Sequence, residues 1–128
     1  MEKKKTQQFF KVPFDLLKNQ KIIDSKLGHT GILLYSLMAD QVSLSERPEN
    51  IDRYSNKENG KVFILFSENR ANQMLGLSKG TYYKYKKKLK ELKLIDYSPQ
   101  MVKAQGNSTP IYVTKLDEWI DKNGGTNQ

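Results

Sequence analysis

Cysteine is absent from the chain, and histidine occurs once, at His29. Disulfides and thiolate metal sites are therefore excluded, and one imidazole cannot assemble a zinc centre. Long apolar runs are missing as well. None approaches the roughly 18 to 20 residues of a membrane span, and the amino terminus opens on Lys3-Lys4-Lys5 followed by polar residues, with no apolar export segment. The expected setting is the cytoplasm, with no membrane contact. Neither a glycine-rich phosphate loop nor a Ser/His/Asp set appears, and Asp40 and Glu46 have no partners that would make them catalytic acids. The expectation is a protein that is not an enzyme, with no catalytic residues, no cofactor and no metal.

Acidic residues are also under-represented: 14 Asp and Glu oppose 22 Lys and Arg, a formal net charge of +8. That imbalance favours an anionic partner, and its distribution says more than its total. From Lys79 to Lys103 stand Lys79, Lys84, Lys86, Lys87, Lys88, Lys90, Lys93 and Lys103 against only Glu91 and Asp96. The stretch from His29 to Gly60 is close to neutral. The basic surface is local, as a nucleic-acid footprint is.

With 128 residues, 37% of them hydrophobic, the chain can fill one core but not two. Phe9-Phe10-Lys11-Val12 reads as a short strand, and Pro13 suits the first position of a single helical turn through Leu17. A helix of about four turns is predicted from Thr30 through Leu44; it is so apolar that a second face, beyond the core face, suggests a subunit contact. Asn59-Gly60 marks a turn into Val62-Phe63-Ile64-Leu65-Phe66, a strand expected to pair with the Ile51 region. Ser67 caps a helix Glu68 to Leu75, Gly76 stops it, and Ser78 caps a second helix from Lys79 to about Lys93. Leu94-Ile95-Asp96-Tyr97 and Ile111-Tyr112-Val113 then read as two strands around a polar loop, and Thr114 as the cap of a last helix, Leu116 to Lys122.

Helix, glycine turn, helix and hairpin is the order of a winged helix-turn-helix. The fold class expected is α+β, with an amino-terminal arm (1–27), a winged-helix DNA-binding domain (28–123) and the start of a linker (124–128) to a further carboxy-terminal domain.

In the helix after Ser78, Tyr82, Tyr85, Leu89 and Leu92 follow one stripe and should pack inward. The opposite side carries Lys79, Gly80, Thr81, Tyr83, Lys84, Lys87 and Lys88, and the first turns of such a helix are the part that enters the major groove. Thr81, Tyr83 and Lys84 are assigned to base edges and Lys79, Lys87 and Lys88 to phosphates. The helix amino end at Ser78 can grip a phosphate with its free N–H groups, and Gly80 allows close backbone approach. The loop Gln100 to Thr109 adds Lys103, Gln105 and Asn107 as wing contacts. His29 reads as a surface or capping residue, and Trp119 with Ile120 as packing.

Several stretches match a known family: Phe9-Phe10-Lys11-Val12-Pro13, Leu33 to Ser45 with its Leu-Tyr-x-Leu-x-x-Asp-x-x-Ser-Leu-Ser pattern, Asn59 to Phe66, and Leu77-Ser78-Lys79-Gly80-Thr81. The sequence resembles the amino-terminal domain of the RepA-type replication initiators (RepA_N family) of Gram-positive plasmids, staphylococcal type, over about residues 9 to 113. The resemblance implies a winged helix that forms a homodimer, binds double-stranded DNA at repeated sites of a plasmid replication origin to initiate replication, and engages host replication proteins through a separate carboxy-terminal domain. It leaves open which of Tyr82, Tyr83 and Tyr85 faces DNA. Lys93 stands where many winged helices have glycine, so the helix must end by another device. The rival reading is a winged-helix transcriptional repressor at a promoter operator, which shares this chemistry; an RNA-binding protein would share the charge, but A-form RNA hides its major groove from a helix.

Overall fold

The computed structural model describes residues 12–97 and 110–123. The expected strand at Phe9–Val12 therefore lies almost wholly outside the described residues. A one-turn helix α1 spans Phe14–Lys18, with Pro13 just outside it as the N-cap, its ψ of 129° extended, and not at the first helical position. The polar stretch that follows is helical too: α2 runs over Gln20–Ser25. Asn19 starts it, its Oδ1 accepting from the N–H groups of Lys21 at 2.9 Å and Ile22 at 3.2 Å, and Lys26 ends it in the left-handed region at φ 61°.

Helix α3 covers Gly28–Ser45 and is longer at both ends than its apolar pattern predicts. Gly31, Ile32, Leu34, Tyr35, Ser36, Leu37 and Met38 are all buried, so the helix is enclosed around its circumference over two turns. Its neighbours are internal. Tyr85 of the later helix approaches so closely that a Cβ on Gly31 would stand 3.2 Å from the Tyr85 Cδ1 and 2.3 Å from the Leu27 Cδ1. The Tyr35 hydroxyl donates to the Thr114 carbonyl at 2.6 Å. The second apolar face that suggested a subunit contact is thus taken up within the chain, and Leu44, 38% exposed, is the one large hydrophobic of α3 left open.

Residues 47–54 form successive turns, with Ile51 and Tyr54 donating back to Arg47 and Asn50. Ile51 is therefore unavailable to a ladder, and the strand-like run 62–66 pairs instead through Ser55↔Val62 on one side and Ile64↔Ile111 on the other, both antiparallel. Gly60, at φ +74°, makes the reversal between them possible.

Helix α4, Glu68–Leu75, starts as its sequence predicts: the Ser67 hydroxyl accepts from the Arg70 N–H at 3.1 Å, and Gly76 closes the helix at φ +70°. Helix α5, Lys79–Glu91, is capped by Ser78, which accepts from the Thr81 N–H at 3.2 Å. Its end shows what replaces glycine. Lys93 itself takes the left-handed conformation at φ 68°, with its N–H bonded to the Lys90 carbonyl and that of Leu94 to the Leu89 carbonyl, the double closure of a Schellman motif. Strands β1, Ile95–Asp96, and β2, Tyr112–Val113, pair antiparallel in the register Ile95↔Val113, Asp96↔Tyr112. The last helix, α6, Leu116–Asn123, starts one residue too late for Thr114 to occupy its N-cap. Trp119 is buried on it and donates from Nε1 to the Leu92 carbonyl at 2.7 Å.

One core joins all of this. Leu16, Ile22 and Leu27 of the arm meet Leu34, Met38, Ile64, Phe66, Leu89, Leu94, Ile111 and Trp119. The architecture is a helix-rich α+β fold with a small two-stranded sheet, in which α5, joined to α4 by a tight glycine turn, packs against both α4 and α3.

Candidate nucleic-acid interface

Helix α5 is sorted by its own periodicity. Tyr82 and Leu89 are buried, at 1% and 0% exposure, while Tyr85 and Leu92 pack half-buried on the same core. Gly80, Tyr83, Lys84 and Lys87, at i, i+3, i+4 and i+7, form one exposed stripe with Lys79 at its head. The three tyrosines are thereby separated. Tyr82 donates its hydroxyl to the Phe66 carbonyl at 2.7 Å and stacks on the Phe66 ring, Tyr85 fits against Gly31, and Tyr83, 46% exposed, points outward.

The remaining expected contacts are placed less simply. Thr81 is half-buried, and its hydroxyl accepts from the Ser78 hydroxyl at 3.0 Å, so part of its capacity serves the helix cap. Lys88 is half-buried on the flank of the stripe. Lys84 is exposed, but its ammonium lies 5.4 Å from the Tyr85 ring centroid, so it leans toward that tyrosine and not to the side opposite it. Gly80 has nothing within 4 Å of where a Cβ would stand. Lys103, Gln105 and Asn107 lie outside the described residues.

Tyr83 also has neighbours of its own. Burial of its ring is the main cause that pushes its phenol above the ordinary tyrosine value, and the Glu68 carboxylate of α4 adds to the rise. Its ring meets that of Tyr82 edge-on at 5.0 Å. A residue the charge pattern alone does not single out stands beside it: Lys86 is buried, at 7% exposure, among Tyr82, Tyr83 and Tyr97. The signal was its spacing, one turn beyond Tyr82 and Tyr83, which places it on the helix surface between the two rings.

The chemistry available is that of a cationic surface. Lys79, Lys84 and Lys87 offer ammonium groups to phosphate or to base acceptors, the amino end of α5 adds its dipole, and Tyr83 offers a ring and a hydroxyl. Among the described residues no group of three or more His, Asp or Glu could hold a metal ion, and no helix is long and apolar enough to cross a membrane.

The same fold occurs in solved structures. A structure described as "Structure of Rep-DNA complex" superposes with a TM-score of 0.63 at 15% identity, over 95% of this chain and 92% of the other. One described as "N-Terminal domain of DNA binding protein" gives 0.63 at 15% identity over 99% and 100%. A third, "Structure of MDR initiator", gives 0.62 at 18% identity over 95% and 92%. At such identities the likeness is one of fold. No curated relative matches the sequence at a significant level. The family model for the amino terminus of replication initiator protein A (RepA) matches residues 8–125, nearly the whole sequence, and the chain belongs to that family.

Proposed function

We propose that this chain is the origin-binding module of a plasmid replication initiator: a winged helix that inserts α5 into the major groove of double-stranded DNA at repeated sites and lays the hairpin between β1 and β2 along the backbone. The observation that carries the reading is the stripe of Lys79, Gly80, Tyr83, Lys84 and Lys87, exposed on a helix that α4 and α3 hold from behind. Similarity to a fold seen in a Rep-DNA complex supports it. The role is binding without catalysis, in the cytoplasm, with host replication proteins engaged by a further domain.

Dimer formation belongs to the same reading, and rests on the arm, which was expected to cover a neighbour from Phe9 to Phe14, and not on α3. Val12, Phe14, Leu17 and Ile23 of the arm are 36%, 68%, 37% and 52% exposed, a concentration of apolar surface that a second copy would cover.

Footprinting on plasmid DNA tests the proposal. Protection of tandem repeats near an origin is the expected result. A lone protected promoter operator would make the protein a repressor, and tighter binding to folded RNA than to any duplex would overturn the DNA reading.

A further inference from the structure

Lys86 is the lysine of α5 that the fold turns inward. Its ammonium lies 5.5 Å from the Tyr82 ring centroid, 5.5 Å from that of Tyr83 and 4.5 Å from that of Tyr97. Among the described residues it forms no ion pair with a carboxylate; the two pairs there belong to Lys90 with Asp96 and Lys115 with Glu46. A buried cation without a counter-ion is unfavourable, and an apolar side chain of similar length would fill the space with less penalty. Desolvation lowers the Lys86 pKa accordingly. Three ring faces are what hold the charge in place, since a desolvated ammonium is attracted to them.

Those rings come from two parts of the fold. Tyr82 and Tyr83 belong to α5, whereas Tyr97 directly follows β1. Tyr97 is also held by Lys90, whose ammonium lies 4.6 Å from the ring centroid, donates to the Tyr97 carbonyl and pairs with Asp96 at 3.3 Å. The outward ring of α5 and the end of β1 thus share one cation.

We propose that Lys86 is a positioning residue for DNA recognition: by binding Tyr83 and Tyr97 to one ammonium, it fixes the outward ring of α5 relative to the root of the hairpin without itself touching DNA. The proposal rests on the reading of α5 as the DNA-binding helix. It differs from that reading in assigning a function to a lysine that faces away from the partner.

The test uses a duplex that the wild-type protein enriches from a random-sequence pool, and a scrambled duplex of the same length. Lys86→Met keeps the apolar stem and removes the charge. It should melt no lower than wild type and bind the enriched duplex roughly tenfold more weakly, the range one desolvated cation–π contact spans. The loss on the scrambled duplex should be much smaller, and the salt slope should be unchanged because no phosphate contact is removed. Lys86→Arg, which restores a cation, should recover most of the affinity. Tyr97→Leu should reproduce the loss from the other side, and the double variant with Lys86→Met should be no weaker than either single one.

Wild-type affinity in Lys86→Met would overturn the proposal. So would equal losses on both duplexes with a slope lower by about one unit, which would make Lys86 a phosphate contact. If Lys86→Met does not fold, Tyr97→Leu is read alone on both duplexes, and wild-type affinity for the enriched duplex in that variant overturns the proposal. A wild-type protein that enriches no duplex would instead sink the underlying DNA reading, and this proposal with it.

Discussion

Gly80 stands in the first turn of α5 with open space where a Cβ would lie, so the fold itself has no need of a glycine there. A helix normally gains from alanine at such a position, by about 0.5–1 kcal/mol. Gly80→Ala should therefore raise the melting temperature while weakening duplex binding, because the added methyl lies on the stripe proposed to meet DNA. Melting and titration of the one variant check both halves. Lys84 and Lys88 separate in a different way. Lys84 must leave the Tyr85 ring to reach a guanine, giving up about 0.5–1 kcal/mol of exposed cation–π contact, yet Lys84→Ala should still lose about 1–3 kcal/mol on the specific site and much less on random duplex. Lys88, half-buried one turn further on, should act on phosphate, so that Lys88→Ala weakens both DNAs alike and lowers the salt slope by about one unit. Equal losses for Lys84→Ala on the two duplexes would move base reading to Lys79, Thr81 or Tyr83.

The closure of α5 is where an element departs from its best sequence. Lys93 occupies a left-handed conformation, at φ 68°, that disfavours any residue with a Cβ by about 1–2 kcal/mol, and its side chain is exposed. Lys93→Gly should accordingly raise the urea midpoint by the equivalent of about 1 kcal/mol, reduced by the extra freedom glycine brings to the unfolded chain. An unchanged or lower midpoint would show that the Lys93 side chain stabilises the closure. Elements were legible where caps and periodicity agreed. The Ser67 and Ser78 caps, the Gly76 turn and the inward stripe of α5 all follow from local rules, and the structure places them accordingly. Helix α2 was hidden because its apolar residues Ile22 and Ile23 stand among polar ones, and only its Asn19 cap announces it. The pairing of residues 62–66 depends on Ile111, far along the chain, which no short-range signal specifies. Lys86 was missed for a related reason: a lysine is read as solvated unless the rings around it are known.

At the scale of the whole molecule, α3 is surrounded by the rest of the chain, and its apolar excess reflects this central place. Two buried tyrosines tie that centre together, Tyr35 through Thr114 and Tyr82 through Phe66. Burial is the main cause that pushes both phenols far above their ordinary value of 10.0. The unfolded chain releases these protons near pH 10 while the folded one retains them, so their contribution is full below that pH and is lost as pH rises above it. Lys86 opposes the trend, since its lowered pKa lets the folded state shed an unfavourable charge first. The urea midpoint should therefore fall above about pH 10, and fall less steeply in Tyr35→Phe/Tyr82→Phe; equal slopes would remove the tyrosines from the alkaline transition.

If α5 is the DNA-binding helix, its exposed lysines hold the duplex. Lys79, Lys84 and Lys87 are all exposed, so replacing the three by alanine should leave the melting temperature near that of wild type. Titration of wild type and the triple variant with one duplex at several salt concentrations measures the claim directly. Each phosphate contact contributes roughly −0.9 to the slope of log affinity against log salt. The prediction is a folded variant with affinity at least about a hundredfold lower and a slope shallower by about two units, two of the three lysines being counted as phosphate contacts. A folded variant with wild-type affinity and slope would show that α5 is not the helix that holds DNA.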